Sequence, residues 1–118
     1  MALYQSPPVL DNQYQDDALL RELTERVFGK KSILEDEFTH LGDLGARELY
    51  NEALADRLNE PTLTRWDPWG HRIDKTELSP LWKKAKIISA EHGLVATAYE
   101  QAYGENSRIC QFVKNYLV

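Results

Sequence analysis

A chain of 118 residues, 42% of them hydrophobic, is long enough for one folding domain and at this size buries roughly two thirds of its unfolded surface. Fourteen Lys and Arg against nineteen Asp and Glu leave a net charge of −5 with neither sign in a long block. That balance argues against nucleic-acid binding by this segment, which needs a basic face to displace counterions. Cys110 is the only cysteine, so an intrachain disulfide framework is excluded, and no apolar run approaches the length of a membrane span. No basic residue precedes Arg21, so the start reads neither as a signal peptide nor as an Arg-rich transit peptide. A cytoplasmic location is expected, with organelle import left open.

Residues 1–15 read as an extended N-terminal arm and 16–118 as a single helical domain. From Asp16 the spacing of Leu19, Leu20, Leu23 and Val27 predicts a helix with Asp16 or Asp17 as N-cap and Gly29 at its end. Ser32 and Glu35 have capping-box spacing, and Ile33, Leu34, Phe38 and Leu41 follow before Gly42. Asp43 then opens a third helix that turns Leu49, Tyr50, Ala53 and Leu54 inward and stops near Asn59 and Pro61.

Beyond Pro61 the pattern alternates, and Asp67-Pro68-Trp69-Gly70 has type I turn chemistry, so a small β-hairpin or irregular arm is predicted near residues 62–78. Ser79-Pro80 starts another helix, with Leu81, Trp82, Ala85 and Ile88 leading to Gly93. Leu94, Val95, Ala98, Tyr99 and Ala102 form a fifth stripe closed at Gly104. Asn106 or Ser107 caps a last helix bearing Ile109, Phe112, Val113, Tyr116 and Leu117. The fold class is therefore mainly α, with about five to six helices in a compact bundle plus the arm. Ending on Leu117-Val118 without a C-cap glycine implies a cover for this end or a longer original polypeptide.

Catalytic signatures are sparse. His40, His71 and His92 each lack a second His or Cys at i+3 or i+4, so no metal site is expected. Cys110 falls on an apolar helix side, where a thiol behaves as a small hydrophobe. There is no glycine-rich phosphate loop, G-x-S-x-G elbow or H-E-x-x-H, and the six glycines read as single helix-end residues. Lys83, Lys84 and Lys86 read as a solvated face, and Glu35, Asp36 and Glu37 suit a helix start.

The richest stretch is RWDPWGHRID, residues 65–74. Asp67, Pro68 and Gly70 set a turn, and Arg72 can pair with Asp67 or Asp74 or stack on an indole. Turn chemistry does not account for Trp66, Trp69 and Trp82, which are expected to pack on a larger surface. The interface or structural candidates are accordingly Trp66, Asp67, Trp69, Gly70, Arg72, Asp74 and Trp82, and no catalytic residue is assigned.

These residues resemble the extra N-terminal domain of the AidB-type, adaptive-response branch of acyl-CoA dehydrogenase-like flavoproteins. The likeness rests on Pro7-Pro8, on N-x-Y-x-x-D-x-x-L at Asn12, Tyr14, Asp17 and Leu20, on D-x-x-G-x-R-x-D at Asp67, Gly70, Arg72 and Asp74, and on Pro80 with Trp82. Ser79 stands where the family often has His. The resemblance implies that the whole protein uses FAD and acyl-CoA, dehydrogenates the acyl chain at its α,β bond and forms a homotetramer. It also implies that this segment walls the acyl cavity without catalysing, and that no cofactor is expected for it alone. An alternative is a free-standing helical adaptor for a partner subunit. A third reading, a small enzyme, would place perturbed groups such as His71, Arg72 or Asp74 in a pocket.

Overall fold

The computed structural model describes residues 4–6, 8–30 and 33–118. Pro7 and Ser32, and with Ser32 the expected capping box, lie outside them. Within the segment expected as an extended arm, Asn12 makes a turn: its side-chain oxygen accepts from the backbone N–H of Tyr14 and of Gln15, both at 3.0 Å. Its amide donates to the Thr39 carbonyl at 2.7 Å, and Tyr14 is buried. The Asp17 carboxylate accepts from Leu20 N–H at 3.0 Å and caps α1, Ala18–Phe28. Gly29, at φ +87°, ends that helix by donating its N–H to the Glu25 carbonyl at 2.9 Å.

The inward face of α1 differs from the expected leucine stripe. Leu19 and Leu23 are exposed, Leu20 and Phe28 pack against the core, and the buried residue is Thr24. Its hydroxyl donates to the Arg21 carbonyl and so accepts from the Tyr14 hydroxyl at 2.9 Å. A buried phenol needs such a partner, and this polar pair holds α1 where an apolar contact was expected.

No break occurs at Gly42, nor does Asp43 open a new helix. Helix α2, Ile33–Leu44, runs through a wide π-turn at Gly45–Leu49 into α3, Tyr50–Asp56. Gly42 and Gly45 are interior glycines, present because other chain segments press on them. A Cβ on Gly42 would lie 2.6 Å from the Asn12 side-chain oxygen and 2.7 Å from Tyr14 N. One on Gly45 would collide with the Leu117 backbone carbonyl. The π-turn sits where the rod meets the last helix. In α3, Leu54 faces solvent instead of the core.

Helix α6, Ser107–Leu117, packs against α2 and against the short α5, Ala96–Glu100. Its inward residues include Cys110, Val113, Lys114 and Leu117, and Cys110, Val113 and Leu117 form the core with Leu34, Phe38, Leu41, Leu94 and Tyr14. Ile109, Phe112 and Tyr116 face outward, against expectation. Lys114 is held at three points: the Glu37 carboxylate at 2.8 Å, the His92 carbonyl at 2.9 Å and the Thr97 hydroxyl at 3.2 Å. Val95 and Tyr99, expected in the fifth stripe, are exposed.

Helix α4, Pro80–Glu91, starts on the Ser79 cap and lies along α3. Lys84 fixes it there by donating to Glu48 and, at 2.5 Å, to Glu52. Only Lys83 and Lys86 of the lysine triplet form a solvated face. The antiparallel strands β1, Thr62–Trp66, and β2, Arg72–Glu77, make the predicted hairpin, exposed along both strands.

The molecule is mainly helical with one two-stranded hairpin. Four helices have eleven or twelve residues and the other pieces are shorter, fewer than the five to six helices expected. Nor is it compact: its radius of gyration is 19.1 Å, whereas a chain of this length folded compactly has about 13 Å. It is a plate of 61 × 55 × 15 Å, about two helices deep.

Candidate functional site

The hairpin is built from its own side chains. The Asp67 carboxylate accepts from the N–H of Trp69 at 2.9 Å and of His71 at 2.8 Å, and its second oxygen meets His71 Nδ1 at 3.0 Å. Gly70 N–H donates to the Asp67 carbonyl at 3.2 Å, closing the turn, and Gly70 takes φ +83°. The His71 N–H is the main cause that holds the Asp67 pKa below its ordinary 3.8, aided by the His71 ring and the N–H groups of Trp69 and Gly70.

One step further along, Thr64 pairs with Lys75 but Trp66 pairs with Arg72, so β2 carries a bulge. Asp74 sits in it at φ +43°, a left-handed conformation that Asp tolerates better than branched residues. Its carboxylate accepts from Arg72 Nε at 2.7 Å, and the Arg72 guanidinium lies 5.9 Å from the Trp66 ring centroid. Every polar member of D-x-x-G-x-R-x-D thus shapes the hairpin. His71, Arg72 and Asp74 are exposed and bonded to hairpin neighbours.

The tryptophans are not absorbed by this chemistry. Trp66 is 56% exposed, Trp69 at the tip 83% and Trp82 59%, with Leu63 and Ile73 also open to solvent on the strands. Leu19 and Leu23 on α1 and Ile109, Phe112 and Tyr116 on α6 expose further apolar area. The structure does not bring Trp82 and the hairpin tryptophans into one aromatic cluster; among the described residues none of the three stacks on another.

A groove of about 630 Å³ opens between α2 and α4, with Leu44, Pro80, Ile87 and Ile88 as its apolar lining. His40 and His92 lie at it with ring centroids 5.2 Å apart, while His71 is on the hairpin. Among the described residues no group of three or more His, Cys, Asp or Glu suits a metal ion. Burial pushes the Cys110 thiol up to about 11, which keeps it protonated and inert at neutral pH.

Sequence reasoning missed Lys114, Lys84 and the histidine pair. Lys114 could have been found from its place beside Cys110, Val113 and Leu117 at i, i+3, i+4 and i+7. The others depend on contacts between distant segments and leave no local signal.

The family profile described as the adaptive response protein AidB N-terminal domain matches residues 5–118. The chain belongs to that family. Among relatives of this AidB N-terminal domain, acyl-CoA dehydrogenase family member 11 of Caenorhabditis elegans is 30% identical over 100 residues, covering 83% of this chain and 16% of that protein. The solved structure described as the Bd2924 apo-form superposes with a TM-score of 0.88 at 30% identity, over 98% of this chain and 24% of that one. Caenorhabditis elegans ACDH-11 in complex with C11-CoA gives 0.80 at 29%, over 98% and 20%. The chain thus spans a quarter or less of the length of these relatives. It is the N-terminal type of domain found in acyl-CoA dehydrogenase-like proteins. No helix among the described residues is long and apolar enough to cross a membrane.

Proposed function

We propose that residues 16–118 form a noncatalytic helical domain of a larger FAD-dependent flavoprotein, where they help wall the acyl-CoA cavity and support a homotetramer. The observation that carries this reading is surface area. The chain exposes 9245 Å², whereas a compact monomer of 13.6 kDa exposes about 6,600 Å². A standard interface takes about 800 Å² from each partner, so the excess matches the extensive contacts of an obligate assembly. The exposed residues Trp66, Trp69, Trp82, Phe112 and Tyr116 are of the type that anchors such contacts.

In the whole protein FAD would accept the hydride as a general base removes the substrate α-proton. The described residues of this chain do not fit a flavin by themselves. The groove between α2 and α4 is open, and Lys84 in its lining is already paired with Glu48 and Glu52. This chain's part is to hold a wall in place: Asn12, Tyr14 and Asp17 lock the N-terminal turn to α1 and α2, and Lys114 and Lys84 fix α6 and α4.

The intact mass of the native gene product, measured from its own cell, tests the reading. A mass several times 13.6 kDa with bound flavin is the expected result. A mass equal to 118 residues would overturn it in favour of a free-standing adaptor that buries the same surfaces on a partner subunit.

A further inference from the structure

We propose that His40 and His92 form a two-histidine site for a borderline divalent cation such as Zn2+, clipping α2 to the C-terminal end of α4. His40 lies on α2 and His92 caps α4, so the pair joins two elements at the α2–α4 groove. Two imidazoles on one tetrahedral Zn2+, at Zn–N of about 2.0–2.1 Å and with about 1.2 Å from nitrogen to ring centre, have centroids about 5.2–5.3 Å apart. The observed separation is 5.2 Å, with the ring planes at 43°.

Neither ring has a hydrogen bond to a protein group among the described residues, so the nitrogens are free to coordinate. The His92 backbone is fixed by its carbonyl, which accepts from Lys114. Glu91 lines the same groove and favours a cation; Lys83 and the Lys84–Glu48 ion pair line it too, and Lys84 is also held by Glu52. Two imidazoles suit Zn2+ or Cu2+ over Mg2+ or Ca2+, and the open groove admits water to the remaining positions. With two protein ligands the site binds less tightly than a four-ligand structural zinc.

Calorimetric titration of the natural protein with Zn2+, alongside Co2+ absorption, tests the proposal. One saturable site is expected, with a Co2+ absorption band shifted from that of the aqua ion; His40→Ala and His92→Ala each weaken binding at least tenfold, and His71→Ala leaves it unchanged. His40→Asp, which restores an oxygen ligand, recovers part of the affinity. Far-UV circular dichroism of each variant establishes that the fold is kept, and His40 is exposed enough for that to be expected. Equal binding by wild type and the His40→Ala/His92→Ala double variant, or no saturable binding, overturns it.

Discussion

Asp67 serves the hairpin through its ionised form, because three of its acceptor contacts come from backbone N–H and imidazole groups. Its pKa is lowered, so this support is fully present above the ordinary value of 3.8 and is lost as pH falls through the lower folded value. Tryptophan fluorescence from Trp66 and Trp69 should therefore report hairpin loosening only below about pH 4. Asp67→Asn, which keeps an acceptor oxygen without the charge, should remove that acid transition while preserving the turn at neutral pH; an unchanged transition in the variant would refute the assignment. Asp74 makes a separate demand. At φ +43°, Asp74→Val should cost about 1–2 kcal/mol while Asp74→Gly should be near neutral, as read by hydrogen exchange in β2.

Lys114 carries a buried charge, and its loss has a defined consequence. Its side chain is 5% exposed, and Lys114→Met would leave the His92 carbonyl and the Glu37 carboxylate without their partner. Glu37, at 27% exposed, still reaches water, so the loss should be about 2–3 kcal/mol and not the full penalty of a stranded buried charge. A urea midpoint within error of wild type would show that the three contacts contribute little.

Among the elements, the hairpin and the starts of α1 and α4 were legible, because caps, turn residues and strand alternation are local chemistry. Asp17, Gly29, Ser79-Pro80 and Asp67-Pro68-Trp69-Gly70 do what their types favour. The same reasoning misplaced Gly42 and Gly45. A glycine that ends a helix and one that lets a neighbour approach look alike in sequence, and only the Asn12–Tyr14 turn and the Leu117 carbonyl distinguish them. Periodicity located α6 and placed Cys110, Val113 and Leu117 on its apolar side, but it also drew in Ile109, Phe112 and Tyr116, which face solvent, and passed over Lys114, which counts as polar. If the close approach is the reason for these glycines, Gly42→Ala and Gly45→Ala should each destabilise by about 1–3 kcal/mol despite the better helix propensity of alanine. A raised thermal midpoint in either variant would mean that the approach relaxes freely.

At the scale of the whole molecule, the apolar residues that sequence reading assigned to a core divide into two sets with different partners. Phe38 is 1% exposed and packs with Tyr14 and Phe28 at ring separations of 5.6 and 6.1 Å, so its contribution is complete within this chain. Trp69 is 83% exposed at the tip of an arm whose strands bury nothing, and a two-stranded hairpin alone is marginal in water. The two sets should therefore separate stability from assembly. Phe38→Ala should lower the unfolding free energy of the 118-residue chain by about 3–5 kcal/mol. Trp69→Ala should leave that quantity within about 0.5 kcal/mol, since the residue is 83% exposed in the isolated fold. In the assembled protein the order of effects should change: Trp69→Ala should weaken subunit or domain association by more than about 1 kcal/mol, measured by analytical ultracentrifugation across a dilution series. If Trp69→Ala left association untouched, the hairpin would not be the anchor, and the exposed faces of α1 and α6, with Leu19, Leu23, Phe112 and Tyr116, would be the surface through which the plate is covered.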